Sequence, residues 1–229
     1  MERSFVTWNV AGLNPGADER TEAQCLHLLL TDPPHAIALQ EVVRRTWYAH
    51  WRPHLAAAGY RVFPADPTDT DSEYFSLLAV RGPEGELLPW SLGRSRMGRR
   101  MVAVRAGGWV YCTAHLESER AGSDLRVEQA AAVAGHLAAC AGPAVFGGDT
   151  NLRVEEEPRV RGLGAVVDAW AVAGALAAHR VTWRGGKASA RWDRVWCNAE
   201  VAVRSFELGH VAAPLSDHLP ARVRLVRPS

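Results

Sequence analysis

The sequence predicts an α+β sandwich, and three observations lead there. Segments of strand character outnumber helical ones. The helices fall between runs of strands instead of alternating with them one for one, which argues against a strictly parallel α/β fold. Polar residues gather at strand ends: Asn9, Glu41, His115, Asp149 with Asn151, Asp193, and Asp217 with His218. The chain has 229 residues, 48% of them hydrophobic, and no linker-like stretch, so residues 1–229 read as one domain.

Residues 4–10 are β-branched and aromatic, a strand that runs into the breaker-rich loop 11–16. Residues 21–31 place Cys25, Leu28 and Leu29 at helical spacing and stop before Pro33-Pro34. Residues 36–39 form a short apolar strand that delivers Gln40 and Glu41. Residues 42–58 read as a helix closed by Gly59, although Pro53 opposes its second half. Strands follow at 60–63 and 74–80 around the polar loop 66–73, with a weaker one at 87–92. A basic run then carries Arg94, Arg96, Arg99, Arg100 and Arg105, and a charge run is in general a solvated face.

Residues 101–104 and 109–114 are a pair of strands around Gly107-Gly108, the second leading to His115. The clearest helix spans 123–140, with Ser123 as its N-cap and Gly142-Pro143 beyond its end. Next comes the apolar strand 144–146, followed by Gly147, Gly148, Asp149, Thr150 and Asn151. If 149–151 stays extended, Asp149 and Asn151 share a face and Thr150 turns away. The two glycines allow another backbone or a ligand to approach closely. Residues 155–157 read as a solvated acidic loop and 164–179 as partly helical. Strands are expected at 181–183, 191–196, 201–208 and 221–226, with a flexible tip at 185–187.

Composition excludes several function classes. The net charge is +1, so any anion site must be local. Cys25, Cys112, Cys140 and Cys197 form no CxxC pair and read as reduced residues of an intracellular protein. The N-terminus shows no basic-then-apolar leader, and no apolar run approaches membrane-spanning length. A soluble cytoplasmic chain is the expectation. GxSxG, HExxH, Walker and GxGxxG patterns are all missing, which disfavours serine hydrolase, zinc protease and nucleotide-loop chemistry.

The strand-end residues suit another chemistry. Glu41 is a candidate ligand for a hard cation, which needs only one or two carboxylates; alternatively it is a surface glutamate ending a strand. Asp149 can accept a proton while the Asn151 amide donates a hydrogen bond, or both simply make a turn. Asp193 is either a partner for His218 or one half of a salt bridge to a neighbouring arginine. A carboxylate beside His218 would orient and charge the imidazole. His27, His35, His50, His54, His136, His179 and His210 sit in helical or loop settings and read as structural or solvated.

Six short motifs then fall in a telling order: TWNVAGL at 7–13, LQEV at 39–42, TAHLES at 113–118, GGDTNLR at 147–153, RWDRV at 191–195 and SDHLP at 216–220. Together they resemble the endonuclease/exonuclease/phosphatase superfamily over nearly the whole chain. The His-Leu-Glu-Ser and Gly-Gly-Asp-Thr-Asn-Leu-Arg words, with Thr182-Trp183, look most like its 5′-tyrosyl-DNA phosphodiesterase branch. The resemblance implies a four-layer α/β/β/α sandwich and Mg²⁺-dependent (or Mn²⁺-dependent) hydrolysis of a phosphodiester. It implies that Glu41 holds the metal with Asn9 and Asp217 assisting, and that Asp149 activates water with Asn151 orienting it or the phosphate. His115 and His218 would donate to phosphoryl oxygens, with Asp193 orienting His218. Arg99, Ser118 and Arg153 match phosphate-contacting positions, and Trp183 an aromatic bordering DNA. The implied partner is a DNA 5′ end carrying a tyrosyl adduct, single-stranded at that end, bound by a monomer with no membrane involved.

Two departures bear on the substrate. The segment between Trp183 and Asp193 is short where the branch has a DNA-gripping lid, and Trp192 stands where a Phe is usual. Rival readings are a nuclease or a phosphatase of small phosphoesters or lipid head groups, and a non-catalytic module binding through the 94–105 basic run.

Overall fold

The structure, a computed structural model, describes residues 2–30, 32–70, 72–82, 84–209 and 215–228. Thr31, His210 and Pro214 therefore lie outside the described residues. Two six-stranded mixed sheets carry the fold. The first runs β13-β14-β1-β2-β4-β3 and consists of β1 (Arg3–Asn9), β2 (Ala36–Val43), β3 (Tyr60–Phe63), β4 (Tyr74–Arg81), β13 (Ala202–Leu208) and β14 (Ala221–Val226). The second runs β5-β6-β7-β8-β12-β9 and consists of β5 (Glu86–Leu87), β6 (Met101–Ala106), β7 (Trp109–Ala114), β8 (Ala144–Asp149), β9 (Val167–Asp168) and β12 (Asp193–Cys197).

Side-chain alternation explains the layers. In β1 and β2, Phe5, Ala36 and Ala38 point one way, packing with Val104, Tyr111, Val145 and Val195 of the opposite sheet. Val6, Trp8, Ile37 and Leu39 point the other way, against Cys25 and Leu28 of helix α1 (Ala17–Leu29) and against Trp47, Trp51 and Leu55. The second sheet does the same: Val110, Cys112, Phe146 and Trp196 pack on Val127, Ala130, Val133 and Leu137 of helix α4 (Ser123–Ala139). Central strands buried on both faces need apolar residues at every position, which is why they read as apolar runs. The result is the expected α/β/β/α sandwich.

Gly147 and Gly148 are set by packing. A Cβ on Gly147 would lie 2.5 Å from the Phe5 ring of the facing sheet, and one on Gly148 2.2 Å from the Ala114 carbonyl of the neighbouring strand. Backbone and core, not a ligand, make the close approach.

Several elements differ from expectation. Residues 42–43 extend β2, and the helical stretch that follows begins at α2 (Arg44–Thr46). A single π-helical turn, Trp47–Trp51, leads without a break into α3 (Arg52–Ala57), so Pro53 stands just past the wider π-helical turn in a continuous helical stretch. Gly122, not Ser123, caps α4, and the Ser123 hydroxyl donates to Glu156 at 2.6 Å. Glu156 is buried instead of solvated, because Arg126 inside α4 binds it with Nε at 2.9 Å and Nη2 at 2.5 Å. The helical part of residues 164–179 is limited to α5 (Ala169–Val172), N-capped by Asp168, and short 3-10 turns, with β9 preceding α5. Strand character at 87–92 is confined to β5. Residues 183–190 form a hairpin of β10 (Trp183–Gly185) and β11 (Ala188–Ala190), closed by a two-residue turn with Gly186 at φ 58°. The four cysteines are free, Cys140 half-buried and the others buried. Among the described residues no helix is long and apolar enough to cross a membrane.

Candidate active site

Strand direction brings the polar strand ends together. β1 is parallel to β2 and β7 to β8, so within each pair the C-terminal ends fall on one side. β12 and β14 run antiparallel to β8 and β1, so they begin on that side. Asn9, Glu41, His115, Asp149, Asp193 and the 216–218 segment thus share one end of the sandwich.

Asn9 links the two sheets. Its Nδ2 donates to Glu41 Oε1 at 3.1 Å and to Asp149 Oδ2 at 3.0 Å. Its Oδ1 accepts the Ala11 N–H at 3.0 Å, which fixes the amide orientation: a flipped amide would set N–H against N–H. Asn9 thereby bridges the two carboxylates with its amide hydrogens.

Glu41 sits at φ 55° inside a bulge where β2 slips against β4. The bulge re-aims its side chain into the cleft instead of ending the strand. The Gly12 N–H donates to the Glu41 carbonyl at 3.0 Å. Asp149 and Asn151 also meet by a route other than the extended one. Asn151 is left-handed, φ 49°, and its N–H donates to Asp149 Oδ1 at 3.0 Å in an Asx turn. Thr150 turns away as expected, donating to the Trp192 carbonyl at 2.7 Å. Asn151 spends one amide hydrogen on the Leu116 carbonyl at 3.3 Å, leaving the other and Oδ1 for the cleft.

The two histidines are held in opposite states. His218 Nδ1 lies 2.8 Å from Asp193 Oδ2, and its Nε2 lies 3.7 Å from Asp149 Oδ2. Burial disfavours the charged ring, but Asp193 and Asp149 outweigh it and push the pKa up to about 10. His115 goes the other way: burial, then Arg99 and His218, hold its pKa well below the ordinary value. Its tautomer follows from its neighbour. Arg99 Nη1 is 2.6 Å from His115 Nδ1 and can only donate, so Nδ1 accepts and the ring proton sits on Nε2. That nitrogen faces Asp149 Oδ2 at 3.4 Å. Burial also raises the pKa of Asp149, countered by His218, to about 6.

His218 is fixed through its backbone as well. Its carbonyl accepts the Trp8 indole N–H at 2.9 Å, and its N–H donates to Ser216 Oγ at 3.1 Å. Ser216 Oγ in turn donates to the Asn9 carbonyl at 2.8 Å. Thr182 Oγ1 accepts the Trp192 and Asp193 N–H groups at 3.1 and 3.0 Å, setting the start of β12.

A cleft lined by Glu41, Arg99, His115, Ser118, Asp149, Asn151, Trp183, Trp192, Asp217 and His218 contains most of the sequence-derived site. Trp183 stacks on Trp192, ring centroids 4.0 Å apart, and its indole N–H donates to Asp217 Oδ2 at 3.0 Å. Half-buried at the rim, it is not a core tryptophan. Ser118 turns its hydroxyl to Met97 Sδ at 3.2 Å. Arg153 lies outside this cleft: it reaches the Glu119 carbonyl and Glu156, and lines an adjoining cleft beyond Trp192 with Trp170, Arg180, Arg191 and Arg194. Of the remaining histidines, His50 and His54 bind Glu22, His136 stacks on Trp90, His35 meets Ser4 and His179 meets the Phe206 carbonyl.

Tyr74 went unread in the sequence. It begins β4, and the Arg99 guanidinium lies 4.9 Å from its ring centre. A single aromatic after a polar loop carries no spacing signal. Arg99 and His115 also line a second, more apolar cavity with Tyr74, Phe75, Met97, Met101 and Val102. The two cavities therefore meet at those two side chains.

Two sets of carboxylates can be weighed as metal ligands. Asp149, Asp193 and His218 bring one ligand atom each within 4.8 Å of one another. His218 is protonated there and bonded to Asp193, and a protonated imidazole does not ligate metal. Glu41 offers the better fit: a partly exposed carboxylate, tethered through one oxygen, facing a cleft shared with the Asp217 carboxylate. Hard oxygen donors of this kind suit Mg²⁺ or Mn²⁺.

Residues 6–218 match the Endonuclease/Exonuclease/phosphatase family. The chain belongs to this family. Among curated relatives, tyrosyl-DNA phosphodiesterase 2 of Mus musculus is 32% identical over 191 residues, and that of Gallus gallus 31% identical over 196. Each match takes in 79% of this chain and 50% of the relative, so the chain spans about half the length of these proteins. Among solved structures, a humanized D. rerio TDP2 superposes with TM-score 0.82 at 26% identity, covering 98% of this chain and 99% of that one. D. rerio TDP2 complexed with single-strand DNA product gives 0.81 at 25%, with the same coverage.

Proposed function

We propose that the chain is a Mg²⁺-dependent phosphodiesterase that hydrolyses the bond between a tyrosyl group and a DNA 5′-phosphate. One observation carries the reading. The charged cleft joins an aromatic, apolar cavity through Arg99 and His115, so a phosphate in the cleft would place an aryl leaving group beside Tyr74 and Arg99. On the other side, the Trp183–Trp192 stack and the arginine-lined cleft beyond it offer a base platform and phosphate partners, Arg153 among them. The similarity to tyrosyl-DNA phosphodiesterase 2, and to a relative solved with single-strand DNA product, supports the same substrate.

Glu41 would hold the divalent metal, with Asp217 assisting, and the metal would supply charge neutralisation at the phosphate. Ionised Asp149 takes the proton of the attacking water, which Asn151 orients through Oδ1. Charged His218 and the His115 Nε2–H donate to phosphoryl oxygens as negative charge builds there. The water oxygen bonds to phosphorus, the bond to the tyrosine oxygen breaks, and a phenolate leaves. A phenol's pKa near 10 makes it a better leaving group than an alcohol, so no strong acid is required, and Arg99 beside it favours the anion. Phosphoryl transfer of this kind rests on positioning and electrostatics. Residues 1–229 would act as one catalytic domain and as a monomer.

The short 183–190 hairpin favours a second reading, in which smaller phosphoesters are the substrate. Incubating the chain and Mg²⁺ with a 5′-tyrosyl oligonucleotide, an abasic duplex and a sphingolipid decides between them. Release of tyrosine in preference to the other two products is expected. Preferential turnover of the duplex or the lipid would reject the tyrosyl assignment.

A further inference from the structure

Glu117 takes no part in the chemistry above, yet its carboxylate is buried two residues beyond His115. A single oxygen, Oε1, accepts three hydrogen bonds: from Ser95 Oγ at 2.5 Å, the Arg96 N–H at 2.7 Å and the Met97 N–H at 3.2 Å. Ser95 Oγ, its hydrogen committed to Glu117, accepts the Arg99 N–H at 2.7 Å and the Met97 N–H at 3.2 Å. The segment thus closes around one carboxylate oxygen.

Helix α4 braces this clasp from behind. Gln129 Oε1 accepts the Glu117 N–H at 2.8 Å, and its Nε2 donates to the Arg94 carbonyl at 2.9 Å. Arg126 donates to the Glu117 carbonyl at 2.9 Å. Residues 88–100 have no strand or helix of their own, and Arg94, Arg96 and Arg100 are exposed. Arg99 alone of the four is buried, its guanidinium laid between the Tyr74 ring and His115 Nδ1. A loop without regular structure that carries four like charges has no intrinsic reason to send one of them inward. A buried carboxylate collecting its N–H groups supplies that reason.

We propose that Glu117 is a positioning residue: through Ser95 it holds the 95–99 loop so that Arg99 fixes the His115 tautomer and flanks the leaving group. The consequence for catalysis rests on the function proposed above; the consequence for the His115 ring does not.

The test compares Glu117→Leu, Ser95→Ala, Glu117→Gln and Arg99→Ala in the full chain. The ¹⁵N shifts of the His115 ring report which nitrogen carries the proton. In the parent, Nδ1 should be the unprotonated nitrogen. Glu117→Leu and Ser95→Ala should move the ring towards the Arg99→Ala pattern. Glu117→Gln keeps an acceptor oxygen and should restore the parent pattern. Turnover of a minimal aryl phosphodiester should fall roughly ten- to a hundredfold in Glu117→Leu, since misplacement of about an ångström has that effect. The Glu117→Leu/Arg99→Ala pair should be no worse than Arg99→Ala alone. Parent ring shifts in folded Glu117→Leu, or losses that multiply in the pair, overturn the proposal. If Glu117→Leu does not fold, Ser95→Ala carries the same comparison. If no aryl phosphodiester is cleaved by any form, the functional reading fails while the ring shifts still decide this one.

Discussion

Two histidines beside the same carboxylate are held in different protonation states, and their surroundings cause the difference. Asp193 and Asp149 charge His218 against its burial; burial, reinforced by Arg99, keeps His115 neutral, and Arg99 places its proton on Nε2. If Asp193 acts only through the imidazole, Asp193→Asn costs less activity than His218→Ala. The double variant then loses about as much as His218→Ala alone, whereas multiplying losses would show two separate roles. The metal prediction is just as local. Glu41→Gln keeps shape and removes charge, so turnover should fall by roughly 10² or more with melting temperature preserved, and chelation should abolish the parent's activity. Full turnover in either experiment rules out the Glu41 metal site. At this scale the sequence was most informative about identity and least about geometry. Asp149, His218 and Glu41 were legible as strand-end polar residues. The amide orientation of Asn9 and the left-handed Asn151 come from local turns, to the Ala11 N–H and to Asp149 Oδ1, that a reading of both segments as extended strand ends passes over. The Tyr74 ring under Arg99 depends on a contact between residues far apart in the chain, which no spacing rule encodes.

Among the elements, β2 illustrates how a strand can be right in kind and wrong in extent. Its apolar residues 36–39 predicted a strand, but its continuation through Glu41 depends on a bulge and on Gly12. A Cβ on Gly12 would lie 2.2 Å from the Glu41 carbonyl, a backbone atom that cannot swing aside. Gly12→Ala should therefore displace Glu41 and weaken activity about as much as Glu41→Gln while the three hydrophobic clusters stay packed. Unchanged turnover in Gly12→Ala would separate the loop from the metal position. Helix α4 carries the complementary lesson. Its apolar stripe was legible, but Arg126 and Gln129 are buried too, because Glu156 and the Glu117 segment supply their partners. Burial alone would raise the Glu156 pKa, yet the bonds from Arg126, Arg153 and Ser123 outweigh it and bring it down to about 2. The folded value lies below the unfolded one, so this pair stabilises fully above the ordinary glutamate range. Its contribution is lost as pH falls from about 4.5 towards 2. Its linked part is about 3 kcal/mol. Denaturant titrations of parent and Glu156→Gln should differ at pH 7 and converge across that window. A pH-independent difference would place the stabilisation elsewhere.

Over the whole molecule, the two sheets are wired alike: a parallel pair, β1–β2 or β8–β7, flanked on both sides by antiparallel neighbours. Both pairs send their C-terminal ends to one rim, so residues from six separated motifs meet there. The sandwich class was legible in the runs of strands with helices between them, whereas the count of four layers came from the resemblance carried by the six motifs. What lies around the rim was less so, since the 183–190 hairpin carries Trp183 into a stack with Trp192 that neither residue announces. Trp183 has two jobs available, and they can be separated. Its indole N–H holds Asp217, and its ring face extends the platform beside the cleft. Trp183→Phe keeps a face and loses the N–H; Trp183→Ala loses both. If DNA bases stack there, a contact worth roughly 1–3 kcal/mol per base, Trp183→Ala should weaken turnover of a 5′-tyrosyl oligonucleotide. Trp183→Phe should retain most of that stacking component. A minimal aryl phosphodiester has no base to stack, so it should respond to the lost Asp217 bond alone, equally in both variants. The oligonucleotide's advantage over the minimal substrate should also shrink as salt rises, because the flanking arginines act on phosphates. Equal loss on both substrates in Trp183→Ala, matched by Trp183→Phe, would leave Trp183 as an anchor for Asp217 and move the substrate assignment towards small phosphoesters.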